Sequence, residues 1–231
     1  MLLFSLECSA AAASAAIYRD EKLLGEEFLN VPQTHSVTLL PMAKSLLEHT
    51  GISPAQIDYY AVSRGPGSFT GLRIGIAAIK GLAFPDNTPC IGVSTPEAIA
   101  YGLLGFEGTV IPMMDARCGQ VYTALFQGKD GRLTRLSEDE ALPLSELKEK
   151  LKSCTGPLWL CGDGAHLGLV AWGEELPVRM APAHLCCQRA SAVGLAAMQH
   201  LGEAVSPAAL VPCYLRPANA MTLAERQHKA E

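Results

Sequence analysis

A chain of 231 residues with 49% apolar and only 18% charged side chains is long enough for one large packed domain or two small ones. It is short of charge against the roughly 25% of an average soluble domain, and its net charge of −5 argues against independent nucleic-acid binding, which needs a basic footprint. The eight cysteines, at 8, 90, 118, 154, 161, 186, 187 and 213, include no C-x-x-C pair. That spacing argues against a zinc knuckle, and the chain is too large for a disulfide scaffold, so reduced thiols in a cytoplasmic protein are the expectation.

The N-terminus, MLLFSLECSAAAASAA, has the apolar run and small residues of a signal peptide but no basic start, and Glu7 ends the run early. No segment reaches the roughly 18 apolar residues of a membrane span, so no membrane association is expected. Leu2 to Leu6 reads as a buried first strand ended by Glu7. Ser9 to Ser14 is a small-residue turn, and Ala15 to Arg19 with Lys22 to Leu29 forms a hairpin around Asp20-Glu21. A helix follows from Ser36 to His49 and stops at Gly51. A strand runs from Ile57 to Ser63, then the loop RGPGSFTG, a helix from Gly71 to Phe84 stopped by Pro85, a strand from Pro89 to Val93 and a helix from Thr95 to Leu104.

The pattern then restarts. Thr109 to Met114 is an apolar strand ended by Asp115, followed by a turn, a strand from Gln120 to Phe126 and another from Gly131 to Leu136. A helix from Ser145 to Ser153, a strand from Leu158 to Cys161, the turn Gly162-Asp163-Gly164 and a long helix from Gln188 to Leu201 complete the chain. Each half thus reads strand, acid, turn, two strands, helix, strand, helix, a duplication of elements rather than of residues. Two such halves facing each other across a cleft make an α/β, actin-like (ASKHA, ribonuclease-H-like) duplicated fold. The expected subdomains are 1–105 and 106–231, with the tail packing back on the first.

The glycine loop looks like a phosphate cradle, but a Walker A loop needs Gly-Lys-Ser/Thr, absent here. A dinucleotide fingerprint needs G-x-G-x-x-G, and Gly65-Pro66-Gly67 is followed by one residue too many before Gly71. Pro66 and Gly67 instead favour a tight turn, and Ser68 or Thr70 can cap the next helix. In that helix Leu72, Ile76, Ile79 and Ala83 make one apolar face, Gly71, Gly75 and Ala78 a smooth second one, and Ile74 adds apolar surface elsewhere. Such a helix is packed on more than one side: it is either central to a large core or it faces the sheet on one side and another chain on the other. The preceding helix repeats the pattern, with Leu39, Ala43 and Leu46 on one face and Val37, Leu40 and Leu47 on others.

The loop with its flanking strand and helix closely resembles the bacterial TsaB family, also called YeaZ. VPQTHSVTLLPM, IGVSTPEA, MMDARCGQVY and PCYLR extend the resemblance over nearly the whole chain in order. Proteins similar to it adopt the actin-like fold and belong to the machinery that makes N6-threonylcarbamoyladenosine (t6A) at position 37 of certain tRNAs. The resemblance implies a subunit without chemistry of its own. Its implied partners are a TsaD-type catalytic paralogue and a TsaE-type ATPase, with the carbamoyl-adenylate made by a separate synthase and tRNA held mainly through the complex. A homodimer is expected in isolation. The implied partner interface comprises His35, Leu39, Leu40, Ala43, Arg64, Ser68, Phe69, Thr70, Arg73, Ile74 and Ala77.

The residues can be checked against activities of the fold. The metal-binding paralogue uses two histidines at i, i+4, whereas His35 is followed at that spacing by Leu39, so a metalloprotease reading lacks its metal. An ATP-using kinase or hydrolase reading has more to stand on. Kinases of this fold place an acid at the end of the first strand of each half, and Glu7 and Asp115 hold those places, with Ser9 beside the first. Yet Cys8, Ser9 and four alanines follow where such enzymes need glycine and hydroxyls, and LECS stands where the family has IDTS-like text. Glu7, Ser9 and Asp115 therefore mark a vestigial nucleotide cleft. No cofactor is expected for the chain alone, with ATP or ADP left open at the junction of the complex.

Overall fold

A computed structural model of the protein describes residues 1–31 and 34–216. The polar tail TLAERQHKAE, expected to be helical or disordered, lies outside them.

The first strand, β1 (Leu2–Glu7), pairs antiparallel with β2 (Ala13–Arg19), which pairs with β3 (Lys22–Leu29). After α1 (His35–Thr50), β4 (Tyr59–Gly65) lies parallel to β1, and after α2 (Phe69–Ala83), β5 (Cys90–Ser94) lies parallel to β4. The sheet order is β3-β2-β1-β4-β5. Period-two alternation sorts the first strand's side chains. Phe4 and Leu6 join the core under α1 and α2, while Leu3 packs on the other face with residues of the last helix.

The second half repeats this order. After α3 (Thr95–Tyr101) come β6 (Gly108–Asp115), β7 (Gln120–Thr123), β8 (Phe126–Lys129), β9 (Arg132–Arg135) and β10 (Glu140–Pro143). Then α4 (Leu144–Leu151), β11 (Leu158–Cys161), α5 (Ala165–Trp172), β12 (Val178–Met180) and α6 (Ala190–Ala197) complete the fold. The order β10-β7-β6-β11-β12 matches the first sheet strand for strand, with β11 parallel to β6 and to β12. The architecture is the duplicated actin-like α/β fold.

Three expectations change. The single strand over Gln120–Phe126 is two, β7 and β8. Both keep one register against β6, Met113 opposite Thr123 and Val110 opposite Phe126. That register puts Ala124, where the ladder breaks, opposite Pro112, which has no N–H to give. The long helix over Gln188–Leu201 is shorter: α6 ends at Ala197 and a separate 3-10 turn spans Leu201–Glu203. The strand β10, the helix α5 and the strand β12 were not expected. Two glycines within residues 162–164 and another at 168 hid α5, and β12 is only three residues long.

The layers run α1 and α2, first sheet, α3 and α6, second sheet, α4 and α5. Although α6 lies in the second half of the chain, its N-terminus is fixed to the first sheet. Ser14 Oγ accepts from Ala190 N at 2.7 Å, Glu26 Oε1 from Ser191 N at 2.9 Å, and Tyr18 OH donates to Ser191 O at 2.9 Å. Ser14 and Glu26 thus satisfy orphan N–H groups of a helix with no side-chain cap of its own, and Tyr18 adds a bond to its first turn.

Beyond α6 the chain turns back as a strap. Val205 exchanges two backbone hydrogen bonds with Cys90, Lys80 Nζ donates to Ala208 O at 3.1 Å, and Leu210 is buried in the first core. The strap thus follows α2 from its C-terminal end toward its N-terminal end. Among the described residues no helix is long and apolar enough to cross a membrane.

Candidate functional site: a clamped glycine loop beside an apolar groove

The glycine loop joins β4 to α2. Ser68 caps the helix, its Oγ accepting from Gly71 N at 3.2 Å, so α2 starts at Phe69, two residues before the expected position. The loop closes onto protein rather than around an empty anion site. Ser68 N donates to Ser9 O in the β1–β2 turn at 2.7 Å, and Cys213 N of the strap donates to Arg64 O at 2.7 Å. Glycine is required where backbones meet. At Gly71 a Cβ would collide with the carbonyl oxygen of Cys8, and at Gly65, with φ of 124°, with that of Cys213.

Phe69 and Arg73 carry the strap's end. Phe69 stacks on Tyr214 with ring centroids 4.7 Å apart, Arg73 lies 4.0 Å over the Phe69 ring, and Arg73 Nε donates to Tyr214 OH at 3.1 Å. Arg216 then reaches the second lobe, donating to Ala116 O at 3.0 Å. Tyr214 lies in PCYLR, a stretch that marks the chain's resemblance without announcing this contact.

The outer faces of α1 and α2 border an apolar groove of about 440 Å³ lined by His35, Leu39, Leu40, Ile74, Ala77 and Leu82. A larger basin of about 970 Å³ adjoins it along α1, sharing Leu40 and Leu82 and reaching Leu47, Ile52 and Pro54. Val37 is 64% exposed, Leu40 52% and Phe84 75%. Contiguous apolar surface of this kind marks an interaction site more often than a scattered exposed leucine does.

The interface candidates from sequence divide into groups. Leu40, Ile74 and Ala77 meet at the groove. Leu39 and Ala43 belong to the core, Leu39 reaching the groove only as part of its lining. His35 is half-buried, and its Nε2 lies 2.7 Å from Ala10 O, tying the start of α1 to the β1–β2 turn. Ser68 and Thr70 are exposed at the start of α2. The Arg64 side chain points elsewhere, toward Gly92 and a polar pocket that also includes Glu97 and His200. Leu82, which lines both groove and basin, was missed, since it differs from core positions of α2 only by phase.

The cleft between the lobes holds about 490 Å³ and is lined by Ser9, Gly67, Ser68, Asp115, Arg117 and Asp163, among others. Asp115 accepts from Arg117 N at 2.7 Å. Burial raises the pKa of Asp163, opposed by a hydrogen bond from Gln188. Glu7 is fully buried: Oε1 accepts from Ser9 N at 2.5 Å and Oε2 from Ser63 Oγ. Burial raises its pKa despite those bonds, so Glu7 is a sealed internal carboxyl, and Asp115 and Asp163 are the acids on the cleft wall. Among the described residues no three His, Cys, Asp or Glu side chains gather as a metal site.

Comparison with known proteins identifies the family. Residues 29–154 match the family model described as TsaD: tRNA N6-adenosine threonylcarbamoyltransferase. The tRNA threonylcarbamoyladenosine biosynthesis protein TsaB of Bacillus subtilis is 31% identical over 220 residues, 95% of this chain and 96% of its own. The TsaB protein of Escherichia coli is 34% identical over 167 residues, 71% of this chain and 72% of its own. The solved structure of YeaZ from Pseudomonas aeruginosa superposes with a TM-score of 0.77 at 28% identity, covering 93% of this chain and 99% of that one. At 31% identity over nearly the whole length of the Bacillus subtilis protein, and 34% over most of the Escherichia coli one, this chain belongs to the TsaB family.

Proposed function

We propose that this protein is a non-catalytic scaffold subunit in t6A biosynthesis, pairing with a TsaD-type transferase through the outer faces of α1 and α2. Family membership supports the pathway, since the curated relatives carry t6A biosynthesis in their names. The observation that carries the pairing is the apolar groove between the two helices, walled by Leu40, Ile74 and Ala77 and continuous with the basin beyond Leu82. A surface of this size and composition is suited to burial against a second helix pair.

The absence of own chemistry is inferred from the loop and the first acid. The loop's amides at Ser68 and Gly71 are spent on Ser9 O and the Ser68 hydroxyl rather than offered to the cleft, and Glu7 is enclosed by Ser9 and Ser63. The same apolar face, without its partner, supports self-association as a homodimer. A TsaE-type ATPase would join the pair, ATP or ADP would sit at the subunit junction rather than in this chain alone, and tRNA would be held mainly by the partner. The place of action is the bacterial cytoplasm.

Reconstitution tests this reading. The cognate transferase, ATPase and synthase are combined with threonine, bicarbonate, ATP and tRNA, with and without this chain, and modified adenosine is quantified. Product that depends on the chain, from a chain that alone neither hydrolyses ATP nor cleaves protein, supports the scaffold. Equal product without it overturns the role and directs attention to Asp115 and the cleft.

A further inference from the structure

Away from the apolar groove, a cluster of charged side chains lies where α6 ends and the strap begins. His200 follows α6 and precedes the 3-10 turn Leu201–Glu203. Its Nε2 is 2.9 Å from Glu97 Oε1 of α3, and its Nδ1 is 2.9 Å from Glu203 Oε1. Glu97 is shared: its Oε2 accepts from Arg135 of β9 at 3.1 Å, and Arg135 also donates to Asp139 at 2.8 Å. Ser94 donates to Asp139 at 2.9 Å, and Arg64 and Glu138 complete the charged lining of a pocket of about 160 Å³. Two residues after Glu203, Val205 N donates to Cys90 O at 2.9 Å and its carbonyl accepts from Cys90 N at 2.8 Å, the first anchor of the strap.

We propose that His200 is a proton-controlled latch: doubly protonated, it fastens the root of the C-terminal strap to α3, and on losing one proton it releases one of its two carboxylates and loosens that root. The stoichiometry follows from imidazole chemistry. Both ring nitrogens face carboxylate oxygens, which only accept, so both bonds exist only when both nitrogens carry hydrogen. A neutral ring has one N–H and must leave a carboxylate facing a lone pair. Glu97, 13% exposed, is the stronger partner, and Glu203, 74% exposed, is the one given up.

The charge balance around the ring favours the cation. Arg135 and Arg64 oppose it, but Glu97, Glu203, Glu138 and Asp139 outnumber them in the same pocket. Partial burial works against the charged ring, and the hydrogen bonds to Glu97 and Glu203 outweigh it, so the pKa is raised above its ordinary 6.5. With a raised histidine the stabilisation is fully present below the unfolded value and is lost as pH rises through the folded one. The latch is therefore closed below the ordinary histidine value and opens as pH rises through the raised one. The inference stands on this cluster alone and does not depend on the proposed partner.

Amide hydrogen exchange on the full chain tests it, between about pH 6 and 9, with each rate divided by the intrinsic base-catalysed rate and the His200 ring followed by NMR. Protection at Glu203, Val205 and Cys90 is expected to fall about tenfold, the worth of one charge-assisted bond, with the midpoint of the ring's own titration. Phe4 N in β1 is the control and stays protected. His200→Gln should show no such step. Root protection that is flat through the His200 titration, or that falls equally in His200→Gln, overturns the latch. Glu203→Gln, at an exposed position that leaves folding intact, should move the midpoint to lower pH, and an unmoved midpoint also overturns it.

Discussion

The backbone N–H of Ser68 donates to the backbone carbonyl of Ser9 at 2.7 Å, so the glycine loop is closed onto the turn after the first strand. In a phosphate cradle the loop amides would point at the ligand. Here Ser68 N meets the β1–β2 turn and Gly71 N meets the Ser68 hydroxyl. The glycines serve contact between backbones.

The first prediction concerns that contact. Gly71→Ala places a methyl against the Cys8 carbonyl oxygen, a backbone atom held in the first sheet. Overpacking of this kind costs about 2 kcal/mol, or roughly 4 to 8 °C of melting temperature for a chain of this size. Gly81→Ala on the same helix, where a methyl meets open space, is the control and should leave the melting temperature unchanged or raise it. Thermal unfolding of the two variants side by side distinguishes close approach from a general glycine effect.

The second prediction separates association from stability. Leu40→Asp changes a half-exposed side chain on the groove, so folding stability should move by no more than about 0.5 kcal/mol. Pairing with the transferase, and self-association of the free chain, should weaken at least about tenfold. Ile74→Glu, deeper in the same groove, should do the same at somewhat greater stability cost. Sedimentation and calorimetric titration give the two quantities independently, and unchanged association in both variants would move the interface elsewhere.

The third prediction concerns the strap. Tyr214→Ala removes a ring stacked at 4.7 Å on Phe69 and the acceptor for Arg73 Nε. The expected loss is about 1 to 2 kcal/mol, accompanied by faster amide exchange at Cys213 and Ser68. Tyr214→Phe keeps the stack and loses only the hydrogen bond, so it should fall between the two. Equal losses in both variants would assign the contact to the hydroxyl alone.

The fourth prediction is a pH dependence. Burial raises the Glu7 pKa above its ordinary 4.5, even with Ser63 and Ser9 bonded to it. The folded chain then holds a proton that the unfolded chain releases, so this group's contribution to stability falls as pH rises from the unfolded value through the folded one. Glu7→Gln can accept from Ser9 N and donate to Ser63 Oγ while removing the buried charge. The variant should therefore be more stable than the parent above neutral pH, with the difference vanishing near pH 4.5. Urea midpoints across pH read the sign directly. A variant less stable than the parent throughout would show that the carboxylate's bonds outweigh its desolvation.

The sequence by itself determined the repeating units of this fold. Phe4 and Leu6 alternating with Leu3 define a strand buried on both faces, Gly51 ends α1 in the left-handed conformation, and Ser68 starts α2. Each signal is local, carried by residues within a few positions of one another, and so survives in the order of letters. The surplus apolar surface of α1 and α2 was also legible, because Leu40 and Ile74 fall out of phase with the core faces of their helices. Tertiary structure alone decided which members of those faces are covered. It buried Leu39 and Ala43 and left Leu40 and Phe84 exposed. It broke a strand at Ala124 because Pro112 lies opposite, sealed Glu7 beneath Ser63, and brought Tyr214 onto Phe69 and Ser191 onto Glu26. Those pairs lie from about a dozen to more than 160 residues apart, and no local preference encodes a meeting set by how sheets and helices stack.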